Sequence, residues 1–98
     1  MGTLHYDGRD FDFEDRLLAH LEMVIGQKLR RGESFLMTWV PADRPEAARC
    51  AIWIGSGIPI FWEFAAADDH PINRDWIEHL LQSASSTGGL LVTPERLL

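Results

Sequence analysis

The chain has 98 residues, 46% hydrophobic and 24% charged, which places it among ordinary globular proteins and away from disordered chains. This length supports one domain, residues 1–98, because smaller pieces could not bury a core. A net charge of −6 opposes general attraction to nucleic-acid phosphates. The longest apolar runs are only strand-length, and no basic-then-apolar leader is visible, so we expect a cytoplasmic protein without membrane spans.

The first predicted elements are a hairpin and a long helix. Asp7-Gly8 is typical of a tight two-residue turn between strands. From residue 13 to residue 31, apolar residues recur at helical spacing and predict an amphipathic helix. Asp12 is the predicted N-cap, and Gly32 is the predicted stop.

Three strand-like runs follow, at residues 34–40, 48–54 and 59–64. One phase of their alternation is purely apolar and predicts a core: Phe35, Met37, Trp39, Cys50, Ile52, Ile54, Ile60, Trp62 and Phe64. The opposite phase is too polar for a core and too apolar for an ordinary wet surface. We predict that it forms an interaction face, with these candidate residues: Leu36, Thr38, Arg49, Trp53, Phe61 and Glu63.

The connections between these runs are short and rich in turn-forming residues, which favours antiparallel pairing into a meander. Asn73 is the predicted N-cap of a second helix, and a last strand is expected after Gly88-Gly89. The order ββ-α-βββ-α-β indicates an α+β fold. We expect one mostly antiparallel sheet with both helices on its apolar face.

The sequence offers little catalytic chemistry. No phosphate-binding loop, nucleophile elbow or zinc-type spacing of histidines and cysteines is present, and the single cysteine, Cys50, is expected to be a buried thiol. Asp68, Asp69 and His70 could supply hard-metal ligands from a loop, but an acidic turn before a helix is the commoner meaning of this pattern. We therefore expect no catalytic residues, no cofactor and no metal, and a protein that is not an enzyme.

Two binding hypotheses remain. The basic residues Lys28, Arg30 and Arg31 could contact nucleic acid, although basic residues at the end of a helix also complement its dipole. Trp53 and Phe61 could stack on bases, but their predicted neighbours Arg49 and Glu63 cancel in charge. The sequence therefore favours a homodimer, or another protein partner, over nucleic acid.

A further pattern is carried by five runs, at residues 1–4, 19–22, 24–35, 72–78 and 86–90. These runs resemble a family of small actinobacterial proteins of unknown function whose members often carry the name ATP-dependent DNA ligase. The resemblance implies an accessory role in DNA ligation or repair, and it carries no catalytic residues over. Ligases of that type attach AMP to a lysine in a Lys-x-Asp-Gly motif. The single lysine, Lys28, is followed by Leu29, Arg30 and Arg31, so the motif is absent and ligase activity is not expected.

Overall fold

The computed structural model describes residues 1–41, 48–67 and 69–95. The predicted element order ββ-α-βββ-α-β and the α+β class are confirmed. The helices are α1 (Asp15–Arg30) and α2 (Arg74–Ala84). The strands are β1 (Gly2–Tyr6), β2 (Arg9–Phe13), β3 (Phe35–Trp39), β4 (Cys50–Ile54), β5 (Ile60–Glu63) and β6 (Leu90–Leu91).

The six strands form two three-stranded sheets. The first sheet has the order β2-β1-β5, and the second sheet has the order β4-β3-β6. All pairings are antiparallel except the one between β3 and β6, which is parallel. The predicted single meander was therefore wrong for β5, which pairs with β1 instead of β4. Short turns predict where a strand ends, but they do not say which sheet the next strand joins.

One apolar core lies between the sheets and the helices. Helix α1 contacts β1, α2 contacts β3 and β6, and the two helices contact each other. The predicted inward phase of the strands is confirmed, because each of its residues is buried or packs against the core. The largest fully buried side chains are Leu4, Leu18, Leu21, Ile25, Met37, Ile54, Leu80 and Leu90.

The hairpin turn has the geometry that its sequence predicts. Asp7 and Gly8 both have positive φ, 52° and 78°, as a tight two-residue turn between antiparallel strands requires. Because the loop contains two residues, the register of β1 and β2 is fixed, and Thr3 lies opposite Asp12 while His5 lies opposite Asp10.

The caps of α1 differ in part from the prediction. Asp12 lies in β2, where it accepts a hydrogen bond from Thr3 Oγ1, and Glu14 stands at the N-cap position without a side-chain cap. At the other end Gly32, with φ of 71°, follows the last turn. Its N–H donates to Leu29 O at 2.9 Å, and the next N–H, of Glu33, donates to Lys28 O at 3.1 Å. These two bonds form a Schellman motif, so the predicted stop is confirmed.

Asn73 caps α2 as predicted. Its side-chain oxygen accepts hydrogen bonds from the N–H groups of Asp75 and Trp76 at 3.1 and 3.2 Å. Of the helices in the described residues, neither is long and apolar enough to cross a membrane.

Candidate functional site

The predicted interaction face is divided between the two sheets. Leu36 and Trp53 are cross-strand neighbours in the second sheet, whereas Phe61 and Glu63 lie on β5 in the first sheet. Trp53 and Phe61 are 64% and 61% exposed, the two most exposed aromatic side chains in the described residues. Thr38 departs from the expected exposure, because it is buried and its Oγ1 has no hydrogen-bond partner in the described part of the chain.

Arg49 completes the predicted set. It is exposed and lies just before β4, so it flanks that strand without belonging to it. Arg49 and Glu63 were expected to be neighbours with cancelling charges. They adjoin different sheets, so they do not form a cross-strand pair.

The free edge of β4 is the longest uncharged sheet edge in the described residues. No described strand pairs with β4 on the side away from β3, and its five residues, Cys50–Ile54, include no charge. The edge strand β2 contains Arg9, Asp10 and Asp12, while β5 has four residues and ends in Glu63. The remaining edge strand, β6, has two residues. Charged residues and short length are the usual protection of an edge strand against unwanted pairing, and β4 has neither of these features.

The outer face of the first sheet is acidic and centred on His5. His5 Nδ1 lies 2.6 Å from Asp10 Oδ1, and Nε2 lies 2.9 Å from Glu63 Oε1. Both ring nitrogens face carboxylates, so both donate hydrogen bonds when the ring is protonated. These hydrogen bonds raise the pKa of His5, and the bond with Glu63 is the largest cause. The ring also lies against Phe61, with centroids 5.2 Å apart. Both nitrogens are thus engaged, and His5 is poorly placed to act as a general base.

Sequence reasoning missed this cluster, although one of the two carboxylate contacts of His5 could have been predicted. The two-residue turn fixes His5 opposite Asp10, so that contact follows from the hairpin register. The contact with Glu63 depends on the pairing of β1 with β5, across 58 positions of sequence, and no local pattern indicates it.

The predicted basic cluster does not present three side chains to one partner. Lys28 is buried, with its side chain 7% exposed, and its Nζ lies 3.5 Å from both Glu33 Oε2 and Ser85 Oγ. Ser85 is the C-cap of α2, so the ammonium lies at the carbonyl ends of both helices, where a positive charge is stabilising. Arg30 and Arg31 are exposed.

A partly buried polar cluster, also missed by the sequence reasoning, fixes residues 93–95 to the helices. Arg16 donates from Nε and Nη2 to the two oxygens of Glu95 at 2.7 and 2.6 Å, and from Nη1 to Pro71 O. Asn73 Nδ2 also donates to Glu95, at 2.8 Å. These bonds, with that from Arg16 the largest cause, lower the pKa of Glu95 to about 2.

His20 joins this cluster to α2. It is fully buried; its Nδ1 lies 2.7 Å from Arg16 O, and its Nε2 accepts from the N–H of Asn73 at 3.0 Å. These partners require a neutral ring with the proton on Nδ1. Burial is the largest cause that lowers the pKa of His20. The ring packs on Trp76, whose Nε1 donates to Thr93 O at 3.0 Å.

Two of the surface concavities lie beside exposed apolar side chains. A groove of about 670 Å³ runs between α1 and the segment after β5, and the exposed side chains of Met23 and Ile72 line it. A smaller one of about 360 Å³ lies beside Lys28 and Trp53. Across residues 1–41, 48–67 and 69–95, no group of three or more His, Cys, Asp or Glu side chains is placed to hold a metal ion. Of the predicted loop ligands, Asp68 lies outside the described residues.

In the described residues, the fold and its surfaces define a small α+β domain with two three-stranded sheets, an acidic sheet face and an uncharged five-residue edge strand. The chain belongs to the family described as a domain of unknown function, DUF7882, whose sequence model matches residues 1–95. No curated protein and no solved structure matches the chain.

Proposed function

We propose that this protein is a non-enzymatic interaction domain that self-associates through the free edge of β4. The observation that carries the proposal is the position of Trp53, which is 64% exposed on an uncharged edge strand. An unpaired edge supplies a row of backbone donors and acceptors, and an exposed tryptophan beside it supplies apolar area. Edges combined with such anchors are a common basis of strand-mediated association.

The rest of the surface is consistent with a protein partner. The net charge of −6 and the carboxylates around His5 discourage contact with phosphates. The other strongly exposed aromatic side chain, Phe61, lies against the His5 ring in the acidic face, whereas Trp53 faces Leu36 across the second sheet.

The test compares Trp53→Ser with Phe61→Ser by sedimentation equilibrium over a wide concentration range. The two side chains are nearly equally exposed but lie on different sheets, so each controls for the other. We expect Trp53→Ser to weaken self-association roughly 30-fold or more, as for a central interface tryptophan, and Phe61→Ser to leave it unchanged. A wild-type chain that stays monomeric at all concentrations, or an unaffected Trp53→Ser variant, contradicts the proposal.

The proposal includes the absence of catalysis. A nucleotidyl-transfer enzyme needs a lysine amine within reach of ATP, and Lys28 is buried against Glu33 and Ser85. Incubation with ATP labelled in the adenylate group should leave no label on the protein. Covalent label on Lys28 would overturn this part of the proposal.

The alternative is a nucleic-acid-binding accessory module connected with DNA ligation or repair, as the resemblance to actinobacterial ligase-named proteins implies. Its support is the exposure of Arg30 and Arg31, but the burial of Lys28 leaves two basic side chains where three were expected. A titration with single- and double-stranded DNA against salt decides it, since phosphate contacts give a steep salt dependence. Binding to neither strand form at low salt ends this alternative. A cytoplasmic location is part of both proposals.

A further inference from the structure

The uncharged edge of β4 is self-complementary in one particular register. When a sheet continues across a two-fold axis, residues directly opposite each other point to the same face. Side chains alternate between faces, so the axis must pass beside a single residue, which then lies opposite its own copy. Each residue of β4 is therefore one possible position of the two-fold axis.

An axis at Ile52 is the one that pairs all five residues of β4 with one another. On the outer face it places Trp53 opposite Ala51 of the partner subunit, a large side chain over a small one, and both positions are exposed. On the inner face Ile52 meets its own copy. Moving the axis to Ala51 sets Trp53 opposite Arg49, and moving it to Trp53 sets two indoles directly opposite each other.

We propose that two copies pair antiparallel through β4 with Ile52 at the two-fold axis, which forms a continuous six-stranded sheet of order β6-β3-β4-β4-β3-β6. This inference rests on the proposed self-association through β4 and adds the position of the two-fold axis and the register of the paired strands. The inner face of the joined sheet stays apolar, because Cys50 and Ile52 pack partly against the core of each copy. The outer face has the Trp53 and Ala51 pair twice, once on each side of the axis.

The expected affinity is modest. A pair of five-residue strands with one tryptophan per copy is a small contact, below the roughly 1,200 Å² of standard interfaces. We therefore expect a dissociation constant of about 1 μM or weaker, so that monomer and dimer exchange with concentration.

Disulfide cross-linking tests the register. In a Cys50→Ser background, Ile52→Cys places two thiols directly opposite each other, where Cβ atoms of paired residues lie about 4.5–5.5 Å apart, close to disulfide distance. Mild oxidation should give a covalent dimer. The matched control is Phe61→Cys in the same background, which carries an exposed thiol on the first sheet and should remain uncross-linked.

A second pair of variants avoids any change at Ile52. Ala51→Glu and Trp53→Lys should each weaken self-association, whereas an equal mixture should associate more tightly than either alone. In the mixed dimer the new carboxylate faces the new ammonium, and the other side of the axis keeps its Trp53 and Ala51 pair. We expect the charge pair to raise the association constant of the mixed dimer about two- to fivefold at low salt, in addition to the contribution of the retained native pair.

The outcomes separate the two proposals. A wild-type chain without any concentration-dependent association overturns the proposed function and this inference together. Association that persists while Ile52→Cys gives no covalent dimer, or while the mixed variants associate no better than each alone, overturns the register and leaves the self-association in place.

Discussion

Protonation of His20 should destabilise the fold in a narrow and testable pH window. The ring is fully buried, and its Nε2 accepts from the N–H of Asn73 at 3.0 Å. A proton on Nε2 would set a donor against a donor and bury a charge, so the folded pKa is lower than the ordinary value of 6.5, with burial the largest cause. The unfolded chain binds the proton more readily than the folded chain. The stability from neutral His20 is therefore complete above pH 6.5 and is lost as pH falls through 6.5 towards the folded pKa.

The size of the loss follows from proton linkage. One group that binds a proton only in the unfolded chain changes stability by at most about 1.4 kcal/mol per pH unit. For a group whose pKa is 6.5 in the unfolded chain, the loss of stability between pH 6.5 and pH 5.5 is up to about 1 kcal/mol. Glu95, with a pKa of about 2, does not titrate in this window.

Urea unfolding of the wild type and of His20→Gln at pH 7.5, 6.5 and 5.5 measures the effect. The difference in unfolding free energy between the two should shrink by up to about 1 kcal/mol from pH 6.5 to 5.5, and the subtraction removes the contribution of His5. Met23→Gln, at an exposed position on α1 that carries no titratable group, is the control and should show no such change. A pH-independent difference for His20→Gln, or an NMR titration of the wild-type ring at or above 6.5, would refute the reasoning.

Three further predictions concern single positions. Asn73→Ala should destabilise the fold by at least about 1 kcal/mol in urea unfolding, because two N–H groups of α2 lose their cap and Glu95 loses a hydrogen bond, and an unchanged midpoint would contradict this. Gly89→Ala should be far more damaging than Gly57→Ala: both have positive φ, but a Cβ at Gly89 would lie 2.3 Å from Leu36 O, whereas Gly57 has open space, so equal thermal shifts would refute the clash. The His5 ring should titrate above 6.5 by NMR, and its stabilising effect is present below 6.5 and lost as pH rises through the folded pKa; a lower value would contradict the carboxylate contacts.

The candidate surface could be predicted in parts. Alternation along β4 placed Trp53 outside and Ile52 inside, because side chains of a strand alternate whatever the strand pairs with. The same pattern could not show that Phe61 belongs to another sheet. It also failed for Thr38, whose position on the outward phase did not prevent its burial.

The partly buried polar cluster was beyond sequence reasoning for a different reason. The hydrogen bonds of Glu95 with Arg16 and Asn73 join positions 79 and 22 residues apart, and their lengths depend on where three separate segments meet. Lys28 shows the same limit, since its helix position was predicted but its contact with Ser85 of the second helix was not.

The sequence by itself determined the elements of this protein: the hairpin turn at Asp7-Gly8, the helix stop at Gly32, the cap at Asn73 and the inward phase of β3, β4 and β5. These features depend on local backbone preferences and on periodicity, which neighbouring residues are sufficient to specify. Only the tertiary structure decided that β5 joins β1, that β4 is left with a free uncharged edge, and that His5 and His20 meet their partners. Those outcomes depend on the packing of distant segments around one shared core, and no single stretch of sequence specifies it.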